Sequence, residues 1–351
     1  MLREEKRNTV KVACIYMTTI IGAGFASGQE IIKFFAKYYS GGFYGIILAG
    51  VLFSIIGCLV LDKVYTDRIK NYDELVFPVL GWTIGWIMEI VVMLFMVSVF
   101  SIMIAGMGNI LSANFGLKFS TSVTIFAFVC MLIILTDVNG IVNVNVVITP
   151  MMVLGIIFTG IYIIVFKDTS VFNINPILVK TTNNWFFSAL TYVSYNSIMS
   201  MVVMSSLLPY LKTRKVGIAG GIIGGAMLCF VALIVNAVLY LFYPEIIDYE
   251  LPMLRIALKY SNALYFVYTI VLMMAMFTSA ITSGFYFVDR FSSKCSLSPK
   301  YTAIITCAVV IPLSNLGFGN LISVLYPIFG YIGMFLMFAL IIQAFRSKSK
   351  R

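Results

Sequence analysis

The sequence of 351 residues contains no histidine, and only 11% of its residues are charged. Histidine is the commonest metal ligand and the side chain best suited to moving protons near neutral pH. Any ion chemistry must therefore use oxygen ligands or carboxylates. The six cysteines form no C-x-x-C pair, and no glycine-rich stretch continues into the G-K-[ST] of a P-loop. These absences exclude a thiol-based metal or redox motif and ATP-driven work by this chain.

Hydrophobic residues make up 61% of the chain, against roughly 45–50% in ordinary soluble domains. Apolar runs of about 20 residues, each long enough to cross a ~30 Å hydrocarbon layer, recur from end to end. The sequence therefore predicts an all-α polytopic membrane protein. We place ten spans at 10–38, 41–62, 82–113, 119–136, 141–166, 184–209, 216–243, 261–288, 301–317 and 320–345.

The net charge of +10 is explained by the positions of the basic residues, which flank the spans. If the N-terminus is cytoplasmic, 17 of the 24 lysines and arginines fall in cytoplasmic segments, as the positive-inside rule requires. We therefore expect a multi-pass protein of the cell membrane with both termini in the cytoplasm. Its expected partners are the lipid bilayer and a small-molecule substrate, with no role for nucleic acid, and the sequence gives no indication of oligomeric state.

The ten spans divide into two halves of five, and we expect a 5+5 inverted repeat. Because five is odd, the second half enters the membrane from the side opposite to the first. The predicted units are a first repeat at 1–166, an extracellular linker at 167–183, a second repeat at 184–345 and a basic cytoplasmic tail at 346–351.

The first span carries three glycines in seven residues at its middle, 22–28. Each glycine costs about 1 kcal/mol in a helix, so the segment predicts a break in the helix or a very close helix contact. Gly24 and Gly28 also have the GxxxG spacing of a packing motif. Gln29 and Glu30 follow directly, and such polar side chains inside a membrane need a cavity or a partner. We expect a discontinuous first helix.

The sixth span is rich in hydrogen-bonding side chains at 191–197. Serine and asparagine compete with the helix for backbone partners, so this cluster predicts a second break or a polar lining at mid-depth. The alternative is a continuous helix with a hydroxyl-rich packing face.

Breaks in the first span of each half point to a solute site at the repeat interface. Freed carbonyls can hold a cation, and the N-termini of the following half-helices can hold an anion, which would suit a zwitterion. The candidate substrate-binding residues lie near the breaks and on span three: Gly24, Ser27, Gln29, Glu30, Tyr192, Ser194, Tyr195, Asn196, Ser98 and Ser101.

In span eight, Ser279, Thr282 and Ser283 follow an i, i+3, i+4 spacing, so they share one helix face. Their oxygens suit Na⁺. The alternative is that these hydroxyls bond only to carbonyls of their own helix.

The stretch from Ile21 to Glu30, I-G-A-G-F-A-S-G-Q-E, resembles the first span of the YkvI-type bacterial membrane proteins. These belong to the amino acid–polyamine–organocation superfamily, whose members have a LeuT-like fold. The resemblance implies the 5+5 fold with discontinuous helices 1 and 6. It also implies a Na⁺ site between helices 1 and 8, carried by Gly22, Phe25, Ser279, Thr282 and Ser283.

Two acidic residues fall inside predicted spans. Burial favours the uncharged form of a carboxyl group, so Glu30 is a candidate proton carrier or a partner for a substrate amine. A structural alternative pairs it with Lys33, at i+3 in the same helix start. Glu89 is expected near the cytoplasmic interface, within reach of lysine side chains or water.

These features predict a secondary transporter of a small amine-bearing or zwitterionic, amino acid-like solute, coupled to Na⁺ and working by alternating access. The alternatives are an H⁺-coupled transporter that uses Glu30, and a nutrient sensor on the same fold. No enzyme activity is expected, since no catalytic arrangement lies at mid-depth, and Na⁺ is the only cofactor expected.

Overall fold

The computed structural model describes residues 2–135, 138–166, 184–243 and 245–349, and the regular elements in these ranges are helical. The helices are α1 (Leu2–Ile20), α2 (Ala23–Ser27), α3 (Gln29–Phe34), α4 (Ser40–Thr66), α5 (Tyr72–Phe115), α6 (Phe119–Ile134), α7 (Val138–Phe166), α8 (Trp185–Ser205), α9 (Arg214–Phe242), α10 (Pro252–Tyr260), α11 (Asn262–Cys295), α12 (Pro299–Ser314) and α13 (Phe318–Ser349). Two short 3₁₀ turns, Ala36–Tyr38 and Leu208–Tyr210, follow α3 and α8.

The helices account for the ten predicted spans. In the described ranges, seven helices contain a stretch long and apolar enough to cross a membrane: α4, α5, α7, α8, α9, α11 and α13. The helices α6 and α12 are shorter and apolar, and α1 to α3 together form the interrupted first span. The chain is a multi-pass helical membrane protein. The predicted linker 167–183 and the last two residues of the predicted tail lie outside the described residues.

Helix α5 begins ten residues before the predicted span three and bends at Gly81, where φ is +75°. Its start is fixed by Asn71, whose side chain accepts a hydrogen bond from the Glu74 amide at 3.1 Å. The charged residues Asp73 and Glu74 lower the hydropathy of this first segment, which explains why the span prediction omits it. A second element that the sequence did not indicate is α10, between spans seven and eight.

The predicted break in span six is wrong, because α8 is one continuous helix through residues 191–197. Thr191, Ser194 and Ser197 each donate a hydrogen bond to the carbonyl four residues earlier, at 2.8, 2.6 and 2.7 Å. Hydroxyls that bond in this way are satisfied within the helix and need no unwound backbone.

The same cluster is a close packing face against α13, as the alternative reading of the sequence held. A Cβ at Gly333 would lie 2.5 Å from the carbonyl oxygen of Ser194. A Cβ at Gly330 would lie 2.3 Å from the Cγ2 of Thr191. Small residues on both helices allow this approach of the two backbones.

Spans two and seven form a second close pair, in which glycines of α9 meet the backbone of α4. A Cβ at Gly221 would lie 2.5 Å from the Cys58 amide nitrogen, and one at Gly225 would lie 2.4 Å from that of Ser54. Helix α1 packs against α9 and also contacts α7, α8 and α11. The interrupted first span is therefore enclosed by helices of both halves.

Candidate functional site

The first span is interrupted twice within residues 21–28. Helix α1 ends at Ile20, and Gly22, with φ −96° and ψ −170°, is extended backbone that starts α2. Gly28, with φ +87°, is left-handed and separates α2 from α3. Only glycine adopts this conformation without strain. The discontinuous first helix that the glycine segment predicts is present.

Glu30 lies in the first turn of α3 and is 2% exposed. Its Oε2 accepts a hydrogen bond from the Tyr195 hydroxyl at 2.6 Å, and the Tyr326 hydroxyl lies against the same carboxylate. The rings of these two tyrosines are stacked, with centroids 4.5 Å apart. Helices α3, α8 and α13 thus meet at one carboxylate.

Glu30 has no basic partner among the described side chains. The alternative that paired Glu30 with Lys33 is wrong, because the Lys33 Nζ donates to the backbone carbonyl of Ser323 at 2.5 Å. The Lys33 side chain reaches the backbone of α13, while the Glu30 side chain folds back over Gly24 of α2.

Gly24 faces the Glu30 carboxylate directly. A Cβ at this position would lie 2.1 Å from the Glu30 Oε1 and 2.7 Å from its Cδ. The absence of a side chain at Gly24 lets the carboxylate fold back over the short helix α2. Gly24 and Glu30 therefore form one unit at the break, which places both of these predicted substrate residues together.

A cavity of about 30 Å³ lies beside this unit. Its apolar wall includes Phe95, Met103 and Met199. Its polar wall is made by the side chains of Glu30, Tyr195, Tyr326, Asn196, Thr18, Thr19, Ser279 and Thr282. The volume corresponds to about one water molecule. The described conformation is thus closed around the site, and a larger solute requires the walls to move apart.

Ser27, Gln29 and Tyr192 lie close to the break but do not line the cavity. The Ser27 hydroxyl joins α2 to α3, because it donates to the Gly24 carbonyl at 3.2 Å and accepts from the Gln29 amide at 3.3 Å. The Tyr192 ring packs edge-on against Phe35, and its buried hydroxyl has no hydrogen-bond partner within the described residues.

Ser194, Ser98 and Ser101 also lie outside the cavity wall. Each hydroxyl donates to a carbonyl four residues earlier in its own helix, at 2.6, 2.7 and 2.8 Å respectively. The Ser101 carbonyl additionally accepts from Ser314 on α12. Which side of α5 and of α8 faces the cavity depends on the rotation of each helix about its own axis. The residue pattern did not determine that rotation.

The predicted Na⁺ ligands are brought together in part. Gly22 and Ser279 are neighbours, since a Cβ at Gly22 would lie 3.3 Å from the Ser279 Oγ, and both line the cavity with Thr282. Phe25 does not line it, and its carbonyl accepts from the Gly28 amide at 3.0 Å.

The hydroxyls of Thr282 and Ser283 bond to carbonyls of their own helix, as the alternative reading held. They donate to Thr278 and Ser279 carbonyls, each at 2.7 Å. Thr282 also accepts a hydrogen bond from the Asn145 Nδ2 at 3.0 Å. Ser283 lies outside the cavity wall, so the five predicted ligands do not surround one point in this conformation.

A polar network behind the cavity was missed from the sequence. Thr18 on α1 and Thr149 on α7 share a hydrogen bond between their hydroxyls, and Thr149 donates to the Asn145 carbonyl at 2.5 Å. Asn145 in turn reaches Thr282 on α11. The i, i+4 spacing of Asn145 and Thr149 inside an apolar span was the available signal.

Glu89 is fully buried, and the prediction that lysines or water reach it is wrong. Its two carboxylate oxygens pair with the Nε and Nη2 of Arg290 on α11, the Nε contact at 2.8 Å. Arg290 also pairs with Asp73 at 2.6 Å, and Lys294 pairs with Asp73 at 2.8 Å. This ion-pair cluster ties both segments of α5 to the end of α11.

Comparison with known proteins places the chain in a family. Residues 8–316 match the model of a family described as spore germination proteins. The chain belongs to this family. It is 28% identical over 346 residues to the membrane protein YkvI of Bacillus subtilis and 24% identical over 348 residues to the protein YyaD of the same organism. The alignments cover 97% of both partners for YkvI, and 98% of this chain and 99% of YyaD. The resemblance to YkvI-type proteins is confirmed.

Solved structures with the same fold are transporters. A manganese transporter of Eremococcus coleocola, solved as a single-residue mutant, superposes with a TM-score of 0.68 at 12% identity, over 95% of this chain and 78% of that one. A Na⁺-coupled sialic acid symporter superposes with a TM-score of 0.66 at 14% identity, over 96% of this chain and 78% of that one. At these identities the likeness shows the LeuT-like fold alone. In the described residues of our chain, no group of three or more histidine, cysteine, aspartate or glutamate side chains could hold a metal ion.

Proposed function

We propose that this protein is a secondary transporter that binds a small amine-bearing solute at Glu30 and moves it by alternating access. The observation that carries the proposal is the buried Glu30 carboxylate at the break of span one, which tyrosine hydroxyls orient and no described basic side chain neutralises. An ionisable residue inside a membrane span is by default a candidate functional site, and Glu30, unlike Glu89, has no basic partner among the described residues.

The surroundings of Glu30 support this role. The carboxylate contacts α2, α8 and α13, so a solute that binds it touches helices from both halves of the chain. Alternating access in this fold is a movement of one group of helices against the other around a central site. Gly22 and Gly28, which bound the short helix α2, supply backbone positions that can change direction during such a movement.

Coupling to an ion can use one of two groups beside the cavity. The oxygens of Gly22, Ser279 and Thr282 support Na⁺ coupling, since hard oxygen ligands suit that ion and all three residues line the cavity. Glu30 supports H⁺ coupling. After the solute leaves, a carboxylate inside the membrane either takes up a proton or stays charged at a considerable cost in free energy. Uptake driven by a Na⁺ gradient at equal pH, compared with uptake driven by a pH gradient without Na⁺, separates the two.

A sensor that binds a nutrient without moving it is the second candidate, and the match to the spore germination protein family favours it. Both candidates require a ligand at Glu30. They differ in whether labelled ligand crosses the membrane.

Counterflow in proteoliposomes tests the transporter. Liposomes loaded with unlabelled ethanolamine, putrescine or alanine are diluted into trace labelled solute, and accumulation is measured for the wild type and for Glu30→Gln. We expect transient accumulation of at least one solute by the wild type and none by Glu30→Gln. The lipid-facing Ile47, 49% exposed, provides the control Ile47→Ala, which should match the wild type. If the wild type binds a solute but does not accumulate it, the protein is a sensor and not a transporter.

Both termini are proposed to lie in the cytoplasm. Cys295, at the end of α11, is exposed and lies in the predicted cytoplasmic segment between spans eight and nine. A membrane-impermeant maleimide should label it in inside-out vesicles and spare it in intact cells. Labelling from the outside would reverse the orientation.

A further inference from the structure

We propose that Glu250 is a latch that holds the outer end of the helical bundle closed over the Glu30 cavity, and that its release opens the cavity there. The outer end is the end opposite to the two chain termini, where the segment 245–251 and α10 connect α9 to α11. The proposed function requires the cavity to open. The latch adds which end opens and which side chain keeps it closed.

The Glu250 carboxylate connects α5 to α13. Its Oε2 accepts a hydrogen bond from the Asn109 Nδ2 on α5 at 2.7 Å, and its Oε1 accepts one from the Gly319 amide on α13 at 3.3 Å. Both helices continue into the cavity wall, which Met103 of α5 and Tyr326 of α13 line. Each of these wall residues lies about 10 Å along its helix from the contact with Glu250. A movement of Glu250 therefore acts on two walls at once.

The carboxylate also takes the place of a helix cap on α13. The Gly317 carbonyl accepts a helical hydrogen bond from the Leu321 amide at 3.1 Å, so Gly317 occupies the N-cap position. Glycine has no side chain that could accept from the amide two residues later, and Glu250 accepts from that amide instead. A negative charge is also favourable at a helix N-terminus. The first turn of α13 thus depends on a side chain from another part of the chain.

The same region covers the break of span one. A Cβ at Gly28 would lie 3.0 Å from the Met253 Cγ, so α10 sits directly on the break. A Cβ at Gly319 would lie 3.2 Å from the Glu250 Oε1 and 3.7 Å from the Gln29 Nε2. The contact between Glu250 and α13 therefore lies beside the start of α3, where the second half of span one begins.

The contacts of Glu250 can be broken at a small cost in free energy. Glu250 is exposed, and it lies in a connecting segment of turns and bends, not in a helix. Water can therefore replace both of its hydrogen bonds when the segment moves away, and the net value of such bonds is modest. Contacts of this strength favour the closed state while an open state stays populated as a minor one.

Glu245 provides a matched comparison within the same segment. Its Oε2 pairs with the Lys259 Nζ on α10 at 3.0 Å, and both side chains are more than half exposed. This pair joins the segment to α10, which carries no residue of the cavity wall. We therefore expect Glu245→Ala to leave the cavity closed and Glu250→Ala to open it.

Access of a thiol reagent to the cavity tests the latch. Met103 in the wall is replaced by cysteine in the full-length protein in nanodiscs, where both faces of the membrane meet the reagent. A small water-soluble methanethiosulfonate is added, and mass spectrometry follows modification at residue 103 alone, so that the native cysteines do not contribute. We expect Glu250→Ala to speed this modification at least about fivefold, in line with the loss of hydrogen bonds to a charged group. Glu245→Ala should leave the rate unchanged.

An exchange of the two partner side chains separates the latch from a folding defect. Glu250→Gln leaves an acceptor for only one of the two donors, Asn109 and the Gly319 amide, and should speed modification. The double variant Glu250→Gln with Asn109→Asp restores both hydrogen bonds, because the glutamine amide donates to the aspartate and its oxygen accepts from Gly319. The double variant should therefore return toward the slow rate of the unlatched control, Glu245→Ala. A general loss of folding would not be reversed by a second substitution.

Three results would overturn the latch. The first is modification of the Glu250→Ala protein at the rate of the parent with cysteine at 103. The second is an equal increase in Glu250→Ala and Glu245→Ala, because the whole segment would then close the cavity. The third is a double variant that is modified as fast as Glu250→Gln. The reagent needs no solute, so the latch can fail while counterflow still depends on Glu30, and counterflow can fail while the latch stands.

Discussion

Glu89 and Glu30 are both buried inside the helical bundle, and they differ in what surrounds the carboxylate. Glu89 is held by the guanidinium of Arg290, which also binds Asp73. Glu30 meets the hydroxyls of Tyr195 and Tyr326 and a side-chain-free surface at Gly24. The chain supplies a cation for the first carboxylate, and none of the described basic side chains pairs with the second.

Under the proposed function, this difference makes Glu89 a structural charge and Glu30 a ligand-binding one. The cluster around Glu89 joins α5 to α11, and a buried ion pair of this kind resists the loss of either partner. The carboxylate of Glu30 sits where three helices meet at a break, beside a cavity. We therefore expect changes at the first site to act on stability and changes at the second to act on binding.

Loss of Arg290 should have the largest effect on stability. Arg290→Met leaves Glu89 buried without its cation, which should cost about 3–5 kcal/mol of unfolding free energy. Lys294→Met removes the more exposed contact to Asp73 and the cation–π contact with the Trp86 ring at 4.6 Å, and should cost about 1–2 kcal/mol. Thermal unfolding of both variants in one detergent measures the contrast. Equal losses of unfolding free energy in the two variants would mean that the buried Arg290–Glu89 pair stabilises the fold no more than the contacts of Lys294 do.

A methyl group at Gly24 should have the largest effect on binding. Gly24→Ala places a Cβ where the Glu30 Oε1 lies, 2.1 Å away, so the carboxylate must move out of its position between α2 and α8. We expect ligand affinity to fall about 100-fold, or about 2.7 kcal/mol. Gly22→Ala, whose Cβ would lie 3.3 Å from the Ser279 Oγ, should lose less. The opposite order in ligand titrations would contradict the account.

Removal of the Tyr195 hydroxyl should weaken binding by about tenfold, since a hydrogen bond to a charged group is worth about 1.5 kcal/mol or more. The matched control is Tyr192→Phe. The Tyr192 hydroxyl is buried without a partner among the described residues, so its loss should leave binding unchanged and stability equal or slightly higher. Titration of the same amine into Tyr195→Phe and Tyr192→Phe compares the two. Equal affinities would remove Tyr195 from the site.

The smallest expected effect is on the Na⁺ stimulation of binding, and it should differ between two neighbouring hydroxyls of α11, those of Thr282 and Ser283. Thr282→Ala should reduce Na⁺ stimulation of binding about threefold, in line with the loss of one neutral polar contact. Ser283→Ala should not, because Thr282 lines the cavity and Ser283 does not. Binding isotherms at several Na⁺ concentrations provide the measurement. A larger effect of Ser283→Ala would restore the five-ligand site inferred from the sequence.

The first span was predictable because its signals are local. Three glycines within residues 22–28 weaken a helix in any packing environment, and the Gln29-Glu30 pair that follows them inside an apolar run needs an explanation in any fold. The number of spans follows equally from runs of apolar residues. These features need no knowledge of neighbouring helices.

The features that the sequence did not settle depend on contacts between helices that are far apart in the chain. The hydroxyl cluster of α8 fits a break or a packing face equally well, and the glycines at 330 and 333 that decide between them lie on α13. Glu89 and Arg290 are 201 residues apart. The rotation that turns Ser98 and Ser101 away from the cavity is set by the packing of α5 against its neighbours.

One comparison tests the central claim most directly: thermal unfolding of Glu30→Gln and Glu89→Gln, each with and without the amine that stabilises the wild type. Glu89→Gln should melt at a lower temperature, since Arg290 loses its buried partner, and should still be stabilised by the amine. Glu30→Gln should melt at or above the wild-type temperature and gain nothing from the amine. A Glu30→Gln protein that the amine stabilises as it does the wild type would contradict the claim that Glu30 receives the charge of the ligand.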